Sequence, residues 1–190
     1  MSQTNKPDRI LGVDPGLNIT GYGVIEITGG SRGKFSLVEA GVIRSTPKTS
    51  LTARVHEIHE GIVDVIESTN PTSMAIEELY SHYERPRTAI LMGHARGVLI
   101  LAGAAAKIPV KHYAATRIKK MLTGNGRAPK SQMQSAIQRE FGLDELPAPA
   151  DVADALAIAL CHYYLRDTAK NVSLTPTAPK RKRRKVRTAS

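Results

Sequence analysis

The chain has 190 residues, 41% of them hydrophobic, with two Phe, no Trp and one cysteine, Cys161. That is enough for a single domain with an aliphatic core; it excludes an internal disulfide and points to a reducing, cytoplasmic setting. The N-terminal MSQTNKPDR carries no apolar segment, and the longest uncharged apolar run in the middle, residues 97–106, falls short of the about 20 residues that span a bilayer, so no membrane partner is expected.

The net charge of +10 suggests a polyanionic partner, but seven of the 27 basic residues lie in KRKRRKVR, residues 180–187. Without them 20 basic residues face 17 acidic ones, a net of +3. Overall basicity is therefore only a weak argument for nucleic acid.

Residues 10–14, 20–27 and 34–44 read as three strands, the last two joined by the hairpin loop TGGSRG. The first strand stops on Asp14, and Pro15-Gly16 turns the chain. A buried strand ending on an acid delivers that acid to a sheet edge, where the sites of α/β proteins form. Alone, Asp14 is better explained as the opening residue of an Asp-Pro-Gly turn, and it becomes more only if other carboxylates converge on it. A helix follows from the N-cap Ser50, with Leu51, Val55, Ile58, Ile62 and Ile66 along one face, and Asn70-Pro71 closes it. Residues 73–79, SMAIEEL, read as a short strand and 108–113 as another, with a helix over 87–106 between them. Two short amphipathic helices, 116–122 and 131–141, precede a last helix from Asp151 to about Arg166, introduced by Pro147 and Pro149. Beyond Asp167 the hydrophobic period gives way to Ser, Thr, Pro and basic residues, which predicts a disordered tail over 167–190. Strands in hairpins followed by strands alternating with helices predict an α/β fold, a mixed five-stranded sheet flanked by helices.

The acids repeat a pattern. Met74-Ala75-Ile76 runs into Glu77-Glu78, whose side chains face opposite sides of the sheet. Only one of the two can join Asp14, and alternation does not say which. The last helix, DVADALAIALCHYY, is apolar on nearly every face, as expected of a helix buried against a sheet. Asp151 by itself is explained as a first-turn acid opposing the helix dipole. Asp154, three residues on and on a common face, needs a cation or a cleft, because an unpaired buried charge is costly. Carboxylates converging from three elements suggest a divalent-metal site, and hard oxygen ligands suit Mg²⁺ or Mn²⁺. His56 and His59 lack further partners for zinc and read as surface residues.

In order and at workable spacing, ILGVDPG, TGYGVIE, AIEELY, GHARGV, KSQMQSAI and DVADALAIA resemble the RuvC family of Holliday junction resolvases, from about Ile10 to Tyr163. The resemblance implies a ribonuclease-H-like nuclease domain over residues 1–166, a homodimer, and metal-dependent nicking of four-way DNA junctions in recombination and repair. It matches the family's four acidic residues to Asp14, Glu77, Asp151 and Asp154, and so selects Glu77 over Glu78. Two Mg²⁺ ions per subunit, with Mn²⁺ able to substitute, would sit on these acids with Asp14 bridging. The family's DNA-facing lysines match Lys119 and Lys130, and its crossover aromatic, Phe in familiar members, is Tyr80 here. The resemblance also implies a link to the RuvA-RuvB branch-migration complex.

Two symmetric cuts call for a two-fold dimer. The 87–106 helix is its expected interface, with Gly93 and Gly97 allowing close approach and Leu91, Val98, Leu99 and Leu101 supplying apolar area. Two other readings compete. An ATP-dependent enzyme of the actin and sugar-kinase type would need a second related domain, for which the chain is too short. A non-catalytic junction-binding or architectural protein working through its basic tail would gain nothing from four acids at a DNA-facing surface.

Overall fold

The computed structural model describes residues 6–29, 33–79 and 86–172. Strands β1 (Asp8–Asp14), β2 (Ile19–Thr28) and β3 (Lys34–Arg44) form an antiparallel meander. Two more strands, β4 (Ser73–Glu77) and β5 (Val110–Tyr113), continue it in parallel on the other side of β1, in the order β3-β2-β1-β4-β5. Helices α1 (Leu51–Thr69), α2 (Pro86–Ala105), α3 (Ala115–Thr123), α4 (Lys130–Phe141) and α5 (Ala150–Val172) complete the described chain. The expected mixed five-stranded sheet is present. Most of the β2–β3 loop, together with Tyr80 and the basic run 180–187, lies outside the described residues.

β1 lies at the centre of the sheet, and its alternation divides the core in two. Ile10 packs with Ile25, Leu156, Ile158 and Leu160 under α5. Leu11 and Val13 pack with Ile58, Ile62, Met74, Ile76 and Leu99 under α1 and α2. Each such side chain contributes about 1.5–3 kcal/mol when fully buried.

α5 approaches the sheet unusually closely because the strands beneath it present hydrogens instead of side chains. Gly12 and Gly23 are cross-strand partners, and Gly21 is paired with Asp14. A Cβ on Gly12 would run into the Ala155 carbonyl and a Cβ on Gly21 into that of Asp151; one on Gly23 would stand 2.6 Å from Leu156 Cδ2. The first turns of α5 are thereby laid across the ends of β1 and β2. At its far side, Tyr113 Oη and His162 Nδ1 meet at 2.7 Å and join β5 to α5.

α1 begins as expected, with Ser50 Oγ accepting from the Ala53 amide at 3.1 Å, and ends at Asn70 in the left-handed conformation, φ 50°. Three expectations are corrected. β4 stops at Glu77 instead of continuing to Leu79, and β5 starts at Val110 instead of Ile108. The helical backbone of α5 passes Arg166 and reaches Val172. α2 matches the expected 87–106 helix to within a residue at each end, and by length and composition Arg87–Ala105 could cross a membrane. One side of α2, however, enters the protein core through Ala95, Leu99 and Ala102.

Candidate active site

The α5 face of the sheet carries Ile10 and Gly12, and next along β1 comes Asp14. β4 runs parallel in the register Gly12↔Ala75 and Val13↔Ile76. One residue further, the same register sets Glu77 level with Asp14 on the same face. Glu77 is half-buried and Glu78 exposed. The register thus makes the selection that alternation left open.

Asp14, Glu77 and Asp154 line one recess of about 230 Å³, with Lys119 and Lys130 beside them and Ile118, Met133 and Ala157 as apolar lining. Asp151 stands to one side, lining a neighbouring recess with Gly16, Asn18 and Arg54. Its charge still acts on Asp14. Burial first, then Glu77, Asp154 and Asp151, push the Asp14 carboxyl from 3.8 up to about 8, against an opposing pull from Lys130. Burial and Asp154 also raise Glu77, with Lys119 opposing. Lys130 Nζ lies 3.1 Å from Asp154 Oδ2. Burial would lower the lysine's pKa, but Asp154, Asp151 and Asp14 outweigh it and raise it. Both partners are substantially solvated, so this ion pair adds little stability.

A half-buried carboxyl facing three others is neutralised either by a proton or by a cation. An all-oxygen donor set fits a hard divalent ion, and Asp14, Glu77 and Asp154, with Asp151 at the side, fit that role. Among the described residues no three such side chains are drawn together closely enough, as they stand, to grip an ion. A bound cation would compete with Lys130 for Asp154.

Two arginines that residue-type reasoning did not single out support this corner. Arg54 on α1 donates from Nη2 to the Leu17 carbonyl at 3.1 Å and to Asn18 Oδ1, and from Nε to Ser45 Oγ at 3.0 Å. With Thr20 Oγ1 donating to the Gly16 carbonyl at 2.8 Å, it fixes the loop that follows Asp14. Nothing in the sequence marks Arg54 out. Arg96, on α2, does fall within GHARGV, a stretch whose residue types suggest no role of their own.

A mixed sheet whose central strand, neighbouring strand and covering helix converge carboxylates on one corner, with lysines at the rim, is a ribonuclease-H-like fold whose recess fits a nuclease-type phosphoryl-transfer site. Residues 10–162 match the family described as Crossover junction endodeoxyribonuclease RuvC. The chain belongs to this family. A relative of that name from Rhodopirellula baltica is 56% identical over 156 residues, covering 82% of this chain and 86% of the relative. Another, from Desulforamulus reducens, is 43% identical over 153 residues, covering 80% and 91%. Among solved structures, Thermus thermophilus RuvC superposes with a TM-score of 0.74 at 33% identity, over 83% of this chain and 95% of that one. T. thermophilus RuvC in complex with Holliday junction substrate gives 0.77 at 31% identity, over 85% and 96%.

Proposed function

We propose that the protein is a Holliday junction resolvase, an endodeoxyribonuclease that hydrolyses phosphodiester bonds at symmetric positions of a four-way junction. The observation that carries this reading is the recess in which Asp14, Glu77 and Asp154 converge beside Lys119 and Lys130. Asp14, Glu77, Asp151 and Asp154 would hold the metal, with Mg²⁺ as the ion, two per subunit and Mn²⁺ able to replace it. When bound, such ions supply an activated water and relieve charge on the leaving oxygen. Asp14 would be the central ligand, since the charges of all three other carboxylates act on it. Lys119 and Lys130 hold phosphates at the rim, which gives affinity without sequence readout. Lys130, which pairs with Asp154, would turn to the phosphate once DNA is bound.

Tyr80 follows β4 by three residues in sequence. We assign it stacking on an unpaired base at the crossover, which is worth about 1–3 kcal/mol per base. The basic run 180–187 serves as a salt-sensitive DNA-binding arm beyond the nuclease domain. The working unit is a homodimer, acting in the cytoplasm in recombination and repair together with the RuvA-RuvB branch-migration complex.

The test is incubation with a synthetic four-way junction, with and without Mg²⁺. Paired symmetric nicks that require the metal are expected. Asp14→Asn, Glu77→Gln, Asp151→Asn and Asp154→Asn should each abolish cleavage while leaving junction binding largely intact. Junction binding with no cleavage by the wild type under any divalent metal would favour the non-catalytic architectural reading.

A further inference from the structure

Arg96 takes no part in the chemistry above, yet its guanidinium ends at the backbone of a site residue. Its Nε donates to the carbonyl oxygen of Glu77 at 3.0 Å, and its Nη2 lies 2.7 Å from Nδ1 of His112 on β5. A guanidinium can only donate, so the His112 nitrogen accepts. The His112 pKa is lowered by burial, then by Arg96 and Lys111, with Glu78 opposing, which keeps the ring in the accepting form near neutrality.

The Glu77 carbonyl needs a donor from outside the sheet. Glu77 is the last residue of β4. On the β5 side the next amide, that of Glu78, bonds the Tyr113 carbonyl at 2.9 Å. On the β1 side pairing ends at Val13↔Ile76, and the residue after Asp14 is Pro15, which has no N–H to give. The turn that presents Asp14 therefore removes a backbone donor where the second carboxylate leaves its strand. A half-buried carbonyl without a partner costs about 1–3 kcal/mol and leaves the strand end loose. Asp154 and Lys119 act on the Glu77 carboxyl by charge, after burial. Arg96 holds the backbone beneath it.

We propose that Arg96 is a positioning residue. By clamping the Glu77 carbonyl and tying it through His112 to β5, it fixes the direction in which the Glu77 carboxylate enters the recess beside Asp14. The proposal rests on the reading of that recess as the metal site. It also connects α2 to the chemistry: any displacement of that helix relative to β4 is transmitted to a ligand.

The test uses the full chain and Mn²⁺ alone as probe, with binding followed by calorimetry, and DNA affinity measured separately on a four-way junction in EDTA. Arg96→Met should weaken Mn²⁺ binding about tenfold or more, the usual cost of losing a group that orients a ligand, and leave junction affinity in EDTA unchanged. Arg96→Lys should recover part of the Mn²⁺ affinity, because one ammonium can reach the carbonyl but cannot bridge to His112 as well. In a Glu77→Gln background Arg96→Met should cost nothing more, which a general loss of packing would not reproduce. If Glu77→Gln leaves wild-type Mn²⁺ binding untouched, the reading of the recess fails. If Glu77→Gln weakens it and Arg96→Met does not, the positioning role is overturned and the recess stands. Should Arg96→Met fail to fold, His112→Ala carries the test, since it removes one anchor at an exposed residue of an edge strand. Weakened Mn²⁺ binding there supports the clamp; unchanged binding overturns it.

Discussion

Asp14 is costly to the metal-free fold, and in the proposed reading it is the acid on which the chemistry depends. Its folded pKa of about 8 lies far above the ordinary 3.8, chiefly through burial and then through Glu77, Asp154 and Asp151. A group raised in this way contributes its full stability below pH 3.8 and loses it progressively as the pH climbs to about 8. In EDTA, Asp14→Asn should therefore melt higher than the wild type at pH 8, by at least about 3 °C for a domain of this size. The difference should close toward pH 4, and thermal melts across that range check it. Equal melting temperatures at pH 8 would mean that Asp14 is better solvated than its surroundings imply. Asp14 and Glu77 were legible in the sequence because each ends a hydrophobic strand. Glu77 could be told from Glu78 only by the family resemblance or by the β1–β4 register, which pairs residues more than sixty positions apart. Asp151 and Asp154 share a helix face by spacing, yet the structure sends them into adjacent recesses, with only Asp154 beside Glu77. Arg54 and Arg96 act on backbone carbonyls, and no residue pattern announces which carbonyl a distant arginine will reach.

At the level of elements, the site depends on how closely α5 lies on β1 and β2. The Gly12 Cα faces the backbone of α5 at Ala155 and Ala159. Gly12→Ala has no free volume to enter, and the obstructing atoms are backbone, which cannot turn aside. The helix must move, at about 1–3 kcal/mol for an overpacked core position, and Asp154 moves with it. Urea denaturation should show that loss, and junction cleavage should fall further than the population of folded protein accounts for. Wild-type cleavage by a destabilised Gly12→Ala protein would show that α5 can shift without disturbing the acids. The elements themselves were largely legible, because apolar periodicity, the Ser50 cap and the prolines mark them. The glycines were visible as letters but not as a surface. Only antiparallel pairing brings Gly12 beside Gly23, and only then does the close seat for a helix exist. The ends of β4, β5 and α5 shifted for a related reason: pairing partners and packing, not local residue type, decide where a strand or helix stops.

For the whole molecule, the open question is what covers α2. Its inner side is core: Leu99 is fully buried, and Leu91 and Val98 pack partly against the same cluster. This removes Leu99 from the expected interface area. Its outer side carries Ile90 and Leu101, 63% and 58% exposed, with Gly93 and Gly97 between them. A Cβ added at either glycine would meet nothing within 4 Å, so the stripe is both apolar and open to close approach. Hydrophobic residues in such a row on a long helix are the kind of surface that a partner buries. The expected partner is a second copy of the chain, because in the proposed reaction one recess cuts one strand and resolving a four-way junction takes two symmetric cuts. Sedimentation at micromolar concentration should show a dimer. Gly97→Glu puts a charge and a long side chain into the middle of the stripe, and should shift the protein toward monomer without lowering its melting temperature in the monomeric state. The same variant should bind a junction less tightly and convert paired nicks into single ones. A wild-type monomer that still makes paired nicks would sink the proposal, and a Gly97→Glu protein that remains dimeric would move the interface elsewhere on the surface.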